Sequence, residues 1–143
     1  MRELNRREVY RLKECLAELA EHHNAVSVNF SGCFPRKPFQ ETLAAFEKDV
    51  DSGRSRIAVI ESEEKILGFC KADIHGGEGT IDYLVVLKEH RGKGYGETLL
   101  TWALDVLQAG SVSRIEVKVA DGNDAIRFYE KNGFRMVSHI LRK

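Results

Sequence analysis

The order of elements across residues 80–119 constrains the fold more than any other feature of the sequence. Residues 80–87 (TIDYLVVL) predict a strand, a glycine-rich turn follows, and the next apolar positions recur at helical spacing. Residues 113–119 (SRIEVKV) then alternate as a second strand. Because strands joined through a helix form a crossover unit, we expect these two strands to be parallel and to lie in one sheet.

The segments on either side of this unit predict further helices and strands. One helix opens with a capping box formed by Asn5 and Glu8, and a second begins at Pro38. Residues 56–61 and 65–74 predict strands joined by a short polar turn, which favours antiparallel pairing. The other predicted elements are a first strand, a short helix and a last strand (1–4, 124–132 and 134–141). The predicted fold class is therefore α/β (α+β), with a mixed, mostly antiparallel sheet flanked by helices.

Length and composition predict a single domain, 1–143, and disfavour several classes of protein. Of the 143 residues, 43% are hydrophobic and 31% are charged, as in globular domains. The 22 basic and 22 acidic residues cancel, whereas nucleic-acid-binding domains usually carry a basic excess. The three cysteines are widely spaced, which disfavours a disulfide framework and a zinc site. The charged N-terminus and the lack of a long apolar run predict a cytoplasmic protein without a membrane segment.

The glycine-rich turn predicts a binding site for a phosphate-bearing ligand. Residues 91–96 (RGKGYG) lie between the predicted strand and the N-terminus of the next helix. Glycines let a ligand approach the backbone closely, and a helix N-terminus presents unpaired N–H groups with partial positive charge. The spacing is not that of a Walker A loop, and the third glycine comes one residue too early for a dinucleotide fingerprint. A different nucleotide-binding module and a purely structural turn are the alternatives.

Two motifs in the second half of the chain carry a family resemblance. Arg91, Gly94 and Gly96 fill the pattern (Gln or Arg)-x-x-Gly-x-(Gly or Ala), and Asn123 is followed by FYEKNGF at 128–134. In this register the two motifs resemble the acetyl-CoA loop and the Asn…Tyr-Glu-Lys-x-Gly-Phe block of the GNAT superfamily of N-acetyltransferases. The resemblance implies a GNAT-like sheet whose parallel central strands splay apart, with acetyl-CoA as cosubstrate and no metal.

The resemblance also implies which residues contact acetyl-CoA. Main-chain groups of Leu84, Val85 and Val86 pair with the pantetheine arm, and the Val86 N–H is an oxyanion donor to the acetyl carbonyl. Asn123 contacts the pantetheine region, with helix capping as its alternative role. The implied cofactor-binding residues are Leu84, Val85, Val86, Arg91, Gly92, Lys93, Gly94, Tyr95, Gly96, Glu97, Asn123 and Tyr129.

The implied reaction is acetyl transfer to a primary amine of a small molecule or peptide, by direct attack in a ternary complex. Tyr129 occupies the family position of the general acid that protonates the thiolate, with core packing as the alternative role. Asp82 and Glu116 are the candidate bases, because each is a carboxylate on one of the splayed strands, although each also suits a solvated strand surface. Strand alternation predicts that Asp82 shares a face with Leu84 and Val86. A non-catalytic acyl-CoA sensor is the alternative function.

The resemblance places the acceptor site at the first two helices and their loop. That region offers two histidines and two phenylalanines, His22, His23, Phe30 and Phe34. No residue there identifies the amine. After Gly133 the sequence has room for one strand where the family often has two. Either one strand is missing, or a second copy of the chain covers the exposed sheet edge in a homodimer.

Overall fold

The computed structural model describes all residues, 1–143, and contains a five-stranded sheet with helices on both faces. The strands, in spatial order, are β1 (Arg2–Glu3), β2 (Ser55–Ser62), β3 (Lys65–His75), β4 (Glu78–Val86) and β5 (Arg114–Val117). The helices are α1 (Lys13–Val26), α2 (Phe39–Asp51), α3 (Tyr95–Ala109) and α4 (Ala125–Lys131), with 3-10 segments at Arg6–Leu12 and Lys88–His90. All strand pairs are antiparallel except β4 with β5, which are parallel, so the predicted fold class is confirmed.

Each face of the sheet carries its own apolar core. Val59 and Phe69 pack with α1, α2 and the first 3-10 segment, which defines the α1/α2 face. Cys70 and Ile81 pack with α3 on the opposite side, which defines the α3 face. Successive strand residues divide between the two cores because side chains alternate across a strand. None of the helices combines the length and the apolar character needed to cross a membrane.

The β4 and β5 strands separate after Ile81. Their parallel ladder covers Glu78–Ile81 only, although β4 continues to Val86. The pairing of β3 with β4 is irregular at the same point, because Lys71 lies opposite Tyr83 while Ala72 lies opposite Ile81. Asp82 is therefore the extra residue of a β-bulge, a feature that bends a strand and ends regular pairing. The result is an open slot beside the last residues of β4.

The predicted last strand, 134–141, is wrong, since residues 134–143 belong to no helix or strand. An alternating apolar pattern forms a strand only against a partner edge, and β5 offers an edge of only 4 residues. The apolar side chains of this segment stay exposed, namely Met136, Val137, Ile140 and Leu141. The homodimer remains a prediction.

Candidate active site

The turn between β4 and α3 presents a continuous row of unpaired backbone N–H groups. Gly92 and Gly94 have φ values of 79° and 82°, in the left-handed region that favours glycine. None of the N–H groups of residues 92–97 donates to a protein acceptor, and the first to do so is that of Thr98, to the Gly94 carbonyl at 3.1 Å. A row of amides at a helix N-terminus is a binding site for an anion such as a phosphate.

Arg91 joins this turn to the end of β4. Its Nε donates to the Val86 carbonyl at 3.1 Å, which leaves the two terminal guanidinium nitrogens available to an anion. Lys93 differs, because its ammonium lies 3.5 Å from Nδ1 of His90. Both side chains are exposed, so the turn carries positive charge that solvent partly screens.

The open edge of β4 presents main-chain groups to the same space. The Leu87 N–H donates to the Leu67 carbonyl at 2.8 Å, toward β3. Because an antiparallel strand directs alternate residues to its two sides, the N–H groups of Leu84 and Val86 point away from β3. The ladder with β5 has already ended there, so no strand pairs with them. An extended ligand that carries amide groups could pair with this edge as a strand does.

A single cavity of about 460 Å³ joins the glycine turn, the open strand edge and α4. Every residue predicted to bind the cofactor lines it, with the exception of Lys93. The other lining residues are Leu19, His22, His90, Asp124, Ala125 and Phe128. The structure thus brings the two sequence motifs and the end of β4 together around one space.

Tyr129 combines a buried ring with a hydroxyl that reaches this cavity. The residue is 6% exposed, and its ring packs edge-on against Phe128 and Phe134. The hydroxyl has no hydrogen-bond partner in the protein. Because every fully enclosed side-chain oxygen or nitrogen does have a partner, the Tyr129 hydroxyl must be accessible, and the space it reaches is the cavity. Burial, and then the neighbouring Cys70 thiol, raise the pKa of Tyr129 above its usual value. The phenol therefore holds its proton throughout the neutral range.

Asp82 does not share a face with Leu84 and Val86, so that prediction is wrong. Its Oδ2 lies 2.9 Å from the ammonium of Lys71, which lies 5.0 Å from the centre of the Phe46 ring on the α1/α2 face. The bulge is the reason, because the extra residue interrupts the alternation on which the prediction depended. Asp82 lies outside the lining of the cavity.

Lys71 is a buried cation held by three carboxylates. Its side chain is 1% exposed and its ammonium lies 2.9 Å from Asp73, 2.9 Å from Asp82 and 3.3 Å from Asp49. Burial by itself lowers the pKa of Lys71, but the charges of Asp82 and Asp73 outweigh it and the pKa is raised. Sequence analysis missed this cluster, although a lysine inside the apolar run KILGFCKADI was a usable signal.

Glu116 also lies away from the cavity. It is exposed on β5 opposite Thr80 and forms an ion pair of 3.5 Å with Arg114. Neither of the two carboxylates predicted as bases is therefore among the residues around Tyr129.

Asn123 connects α4 to α1 beside the cavity. Its Oδ1 accepts from the Ala125 N–H at 3.0 Å, which is a capping contact, and it lies 3.4 Å from Nε2 of His22. The capping role and a place in the cavity lining therefore coexist. His22 reaches the cavity from the last turns of α1.

Asp121 and Gly122 fix the segment that carries Asn123. The Asp121 carboxylate accepts from the Val28 N–H at 2.8 Å and from the Ser27 hydroxyl at 3.0 Å. These two hydrogen bonds, the first above all, hold the pKa of Asp121 below its usual range. A Cβ on Gly122 would lie 2.0 Å from the Val26 carbonyl oxygen, so the backbones are in close contact. Sequence analysis missed both residues, because each contacts a residue that lies nearly a hundred positions earlier in the chain.

Comparisons with known proteins agree with this geometry. A model of the Acetyltransferase (GNAT) family matches residues 17–134. The N-alpha-acetyltransferase 30 of Schizosaccharomyces pombe is 34% identical over 77 residues, which are 51% of this chain and 51% of that protein. The spermidine N(1)-acetyltransferase of Vibrio cholerae is 25% identical over 114 residues, 76% of this chain and 66% of that protein. The matched segments thus span about half of the first relative and just under two thirds of the second.

A solved structure shows the same fold over nearly the whole chain. The PaiA N-acetyltransferase of Thermoplasma acidophilum, solved in complex with coenzyme A, superposes with a TM-score of 0.81 at 20% identity. The match covers 97% of this chain and 91% of that chain. Because the family model also spans most of the sequence and both of its motifs, the chain belongs to the Acetyltransferase (GNAT) family.

Proposed function

We propose that the protein transfers the acetyl group of acetyl-CoA to a primary amine, by direct attack within a ternary complex. One observation carries the proposal: the unpaired amides of residues 92–97 continue into the open edge of β4 within one cavity. Coenzyme A has the matching chemistry, since a pyrophosphate suits a helix N-terminus and the amide-bearing pantetheine arm suits an open strand edge. The family membership supports the same cosubstrate.

The end of β4 is our proposed site for stabilising the transition state. Attack of the amine on the thioester places negative charge on the carbonyl oxygen. The N–H of Val86 has no strand partner and is our proposed donor to that oxygen. A main-chain donor is held rigidly by the sheet and needs no reorganisation as the charge develops.

Tyr129 is our proposed general acid. Collapse of the tetrahedral intermediate breaks the C–S bond, and the thiolate takes the phenolic proton. The raised pKa supports this role because the proton is retained until the thiolate forms. The newly bonded nitrogen then gives its extra proton to the phenolate, so Tyr129 is protonated again at the end of each turnover.

A covalent acetyl-cysteine route has no support near the cavity. Cys70 is fully buried, and burial raises its pKa to about 12, so its thiol stays protonated and weakly nucleophilic. Asp82 and Glu116 remain predicted bases, although both lie outside the cavity lining. Substitutions of the two residues, described in the Discussion, test that role.

The names of two relatives support a primary amine as the acceptor. A small polyamine and a peptide α-amine are both primary amines, and the two curated relatives are named for acetylation of spermidine and of an N-alpha position. We propose these two amine types as the first acceptors to test. A cytoplasmic location and a homodimer remain predictions.

The first experiment compares the melting temperature of the protein with acetyl-CoA, CoA, propionyl-CoA, NAD and ATP. A ligand at a hundredfold excess over its dissociation constant stabilises the folded state by about 2.7 kcal/mol. Stabilisation by the CoA compounds alone, followed by acetyl-CoA-dependent modification of spermidine or a free-amine peptide, is the expected result. Stabilisation without transfer to any amine would favour the sensor, and stabilisation by NAD or ATP would refute the CoA assignment.

A further inference from the structure

We propose that His22 is the general base that takes the proton from the acceptor amine, an assignment that rests on the proposed function. His22 belongs to α1 rather than to either splayed strand, and it is half-buried. It lines the cavity that also holds Tyr129, Leu84 and Val86. The proposed acid on α4, the open edge of β4 and the proposed base on α1 thus line one space.

The contact with Asn123 determines which nitrogen of His22 accepts a proton. Oδ1 of Asn123 accepts from the Ala125 N–H, so the atom facing His22 is the amide oxygen. At 3.4 Å from that oxygen, Nε2 of His22 is the donor in the contact. A neutral imidazole carries one N–H, so Nδ1 holds the free lone pair. No hydrogen bond of the protein occupies Nδ1.

The other titratable groups in the cavity are unsuited to this role. His90 faces the Lys93 ammonium at 3.5 Å, and Glu97 pairs with Lys131 at 3.7 Å in the first turn of α3. His90 comes directly before the glycine turn and Glu97 directly after it, and Tyr95 lies within it, so all three are beside the amides that we assign to the pyrophosphate. Asp124 is exposed immediately before α4, and Arg91 carries no lone pair for a proton.

The groups that surround His22 from its own helix and its neighbours have other partners. His23 packs edge-on against Phe34, at 5.0 Å between ring centres. Glu18, one turn earlier on α1, accepts from the Lys88 N–H at 2.9 Å. Asp121 accepts from the loop after α1. His22 is the only imidazole at this end of the cavity that is left for proton transfer.

The proton balance with His22 is complete. The ammonium form of the acceptor gives one proton to Nδ1, and the neutral nitrogen attacks the acetyl carbonyl carbon. The C–N bond forms, the C–S bond breaks, and the thiolate receives the proton of Tyr129. The second nitrogen proton restores the phenol, and the imidazolium releases its proton to water. Histidine is the side chain that most often serves as a general acid or base in enzymes.

The test compares His22→Gln with His75→Gln, in which the same substitution is made in the exposed end of β3. Glutamine keeps a donor toward Asn123 but cannot take a proton. At about pH 7 we expect His22→Gln to lower kcat/KM for spermidine or a free-amine peptide by about a hundredfold, and His75→Gln to match the parent. The deficit should shrink as the pH approaches the pKa of the acceptor, about 10 for an alkylamine such as spermidine and about 8 for a peptide α-amine, where the amine is already neutral. A constant deficit at every pH, or none, would overturn the assignment.

Two further measurements separate this inference from the proposed function. The rise in melting temperature with CoA should be equal in the parent and in His22→Gln, since glutamine keeps the donor that contacts Asn123. If the parent binds no CoA, the proposed function fails. Nitrogen-15 NMR of labelled histidine reads the His22 tautomer without turnover, and we expect the proton on Nε2. A proton on Nδ1 would overturn the base assignment even if acetyl transfer is found.

Discussion

The ammonium of Lys71 lies 2.9 Å from the carboxylate of Asp82, the extra residue of the bulge in β4. This pair anchors the bulge to the α1/α2 face, where Lys71 also contacts Asp49 of α2. The slot begins at the next residues of β4, so the ion pair lies where the strand turns away from β5. Asp82 therefore has a structural partner that a free general base would lack.

Lys71→Met should destabilise the protein strongly. The substitution leaves Asp73 and Asp82 without their buried counter-ion, and removal of one partner of a buried ion pair costs about 3–5 kcal/mol. Urea unfolding at neutral pH measures the change. Lys65→Met, at the exposed start of β3, is the control and should change the free energy of unfolding little. A loss of less than about 1 kcal/mol for Lys71→Met would show that the cluster is not a stabilising ion pair.

Asp82→Asn should retain most of the activity. An asparagine oxygen can still accept from Lys71, whereas it cannot act as a base. We expect kcat to fall by less than about tenfold, against about a hundredfold or more for the loss of a general base. Steady-state kinetics with a free-amine acceptor measures the difference. A hundredfold loss in kcat with an unchanged melting temperature would instead identify Asp82 as the base, and Glu116→Gln provides the same test for Glu116.

Tyr129→Phe should lower kcat without weakening CoA binding. Phenylalanine preserves the ring contacts with Phe128 and Phe134 but removes the proton donor, so we expect a loss of about a hundredfold. Because the Tyr129 pKa is raised, the parent should show no loss of activity from this group between about pH 6 and pH 9. Tyr10→Phe, on an exposed residue, is the control. Equal kcat in the parent and in Tyr129→Phe would remove Tyr129 as the acid.

Gly122→Ala should cost more stability than Gly133→Ala. Both glycines have positive φ, at 73° and 93°, so each substitution carries backbone strain of about 1–2 kcal/mol. A Cβ on Gly133 meets nothing within 4 Å, whereas a Cβ on Gly122 would lie 2.0 Å from the Val26 carbonyl oxygen. Gly122→Ala must therefore move the segment that carries Asn123. Thermal unfolding and CoA titration of both variants measure this, and equal losses would contradict the close contact.

Asp121 should contribute to stability at neutral pH and lose its contribution in acid. Its folded pKa is lowered by the Val28 N–H and the Ser27 hydroxyl, so folding favours the charged form. The contribution is fully present above the unfolded pKa of about 3.9 and disappears as the pH falls through the lower folded value. Asp121→Asn should therefore be less stable than the parent at pH 7, with a smaller difference at about pH 3. A difference that is independent of pH would exclude the carboxylate charge as the cause.

Local patterns in the sequence were sufficient for the elements that define the fold. The capping box of Asn5 is present, with the Arg7 N–H at 2.9 Å from its Oδ1, and β4 and β5 are parallel around the predicted crossover. The glycine turn also lies where its pattern indicated, because positive φ and a helix start are local properties. These features depend on residues close together in the chain, so spacing alone can reveal them.

The features that escaped prediction depend on contacts between distant residues. Asp121 lies 93 positions from Val28, and Lys71 is paired with carboxylates of three different elements. The orientation of Asp82 could not be predicted because one extra residue reverses the alternation of a strand. The segment 134–141 has the pattern of a strand, but a pattern does not supply a partner edge.

Because the ladder between β4 and β5 ends early, the last residues of β4 form an open edge that the proposed ligand would complete as a strand does. In hydrogen-exchange experiments, the amides of Leu84 and Val86 should exchange as those of an edge strand until such a ligand is bound. Recognition along this edge depends on the backbone, which every residue except proline supplies alike. The side chains of Leu84 and Val86 can therefore vary with the α3 core without altering the hydrogen-bonding groups of the edge.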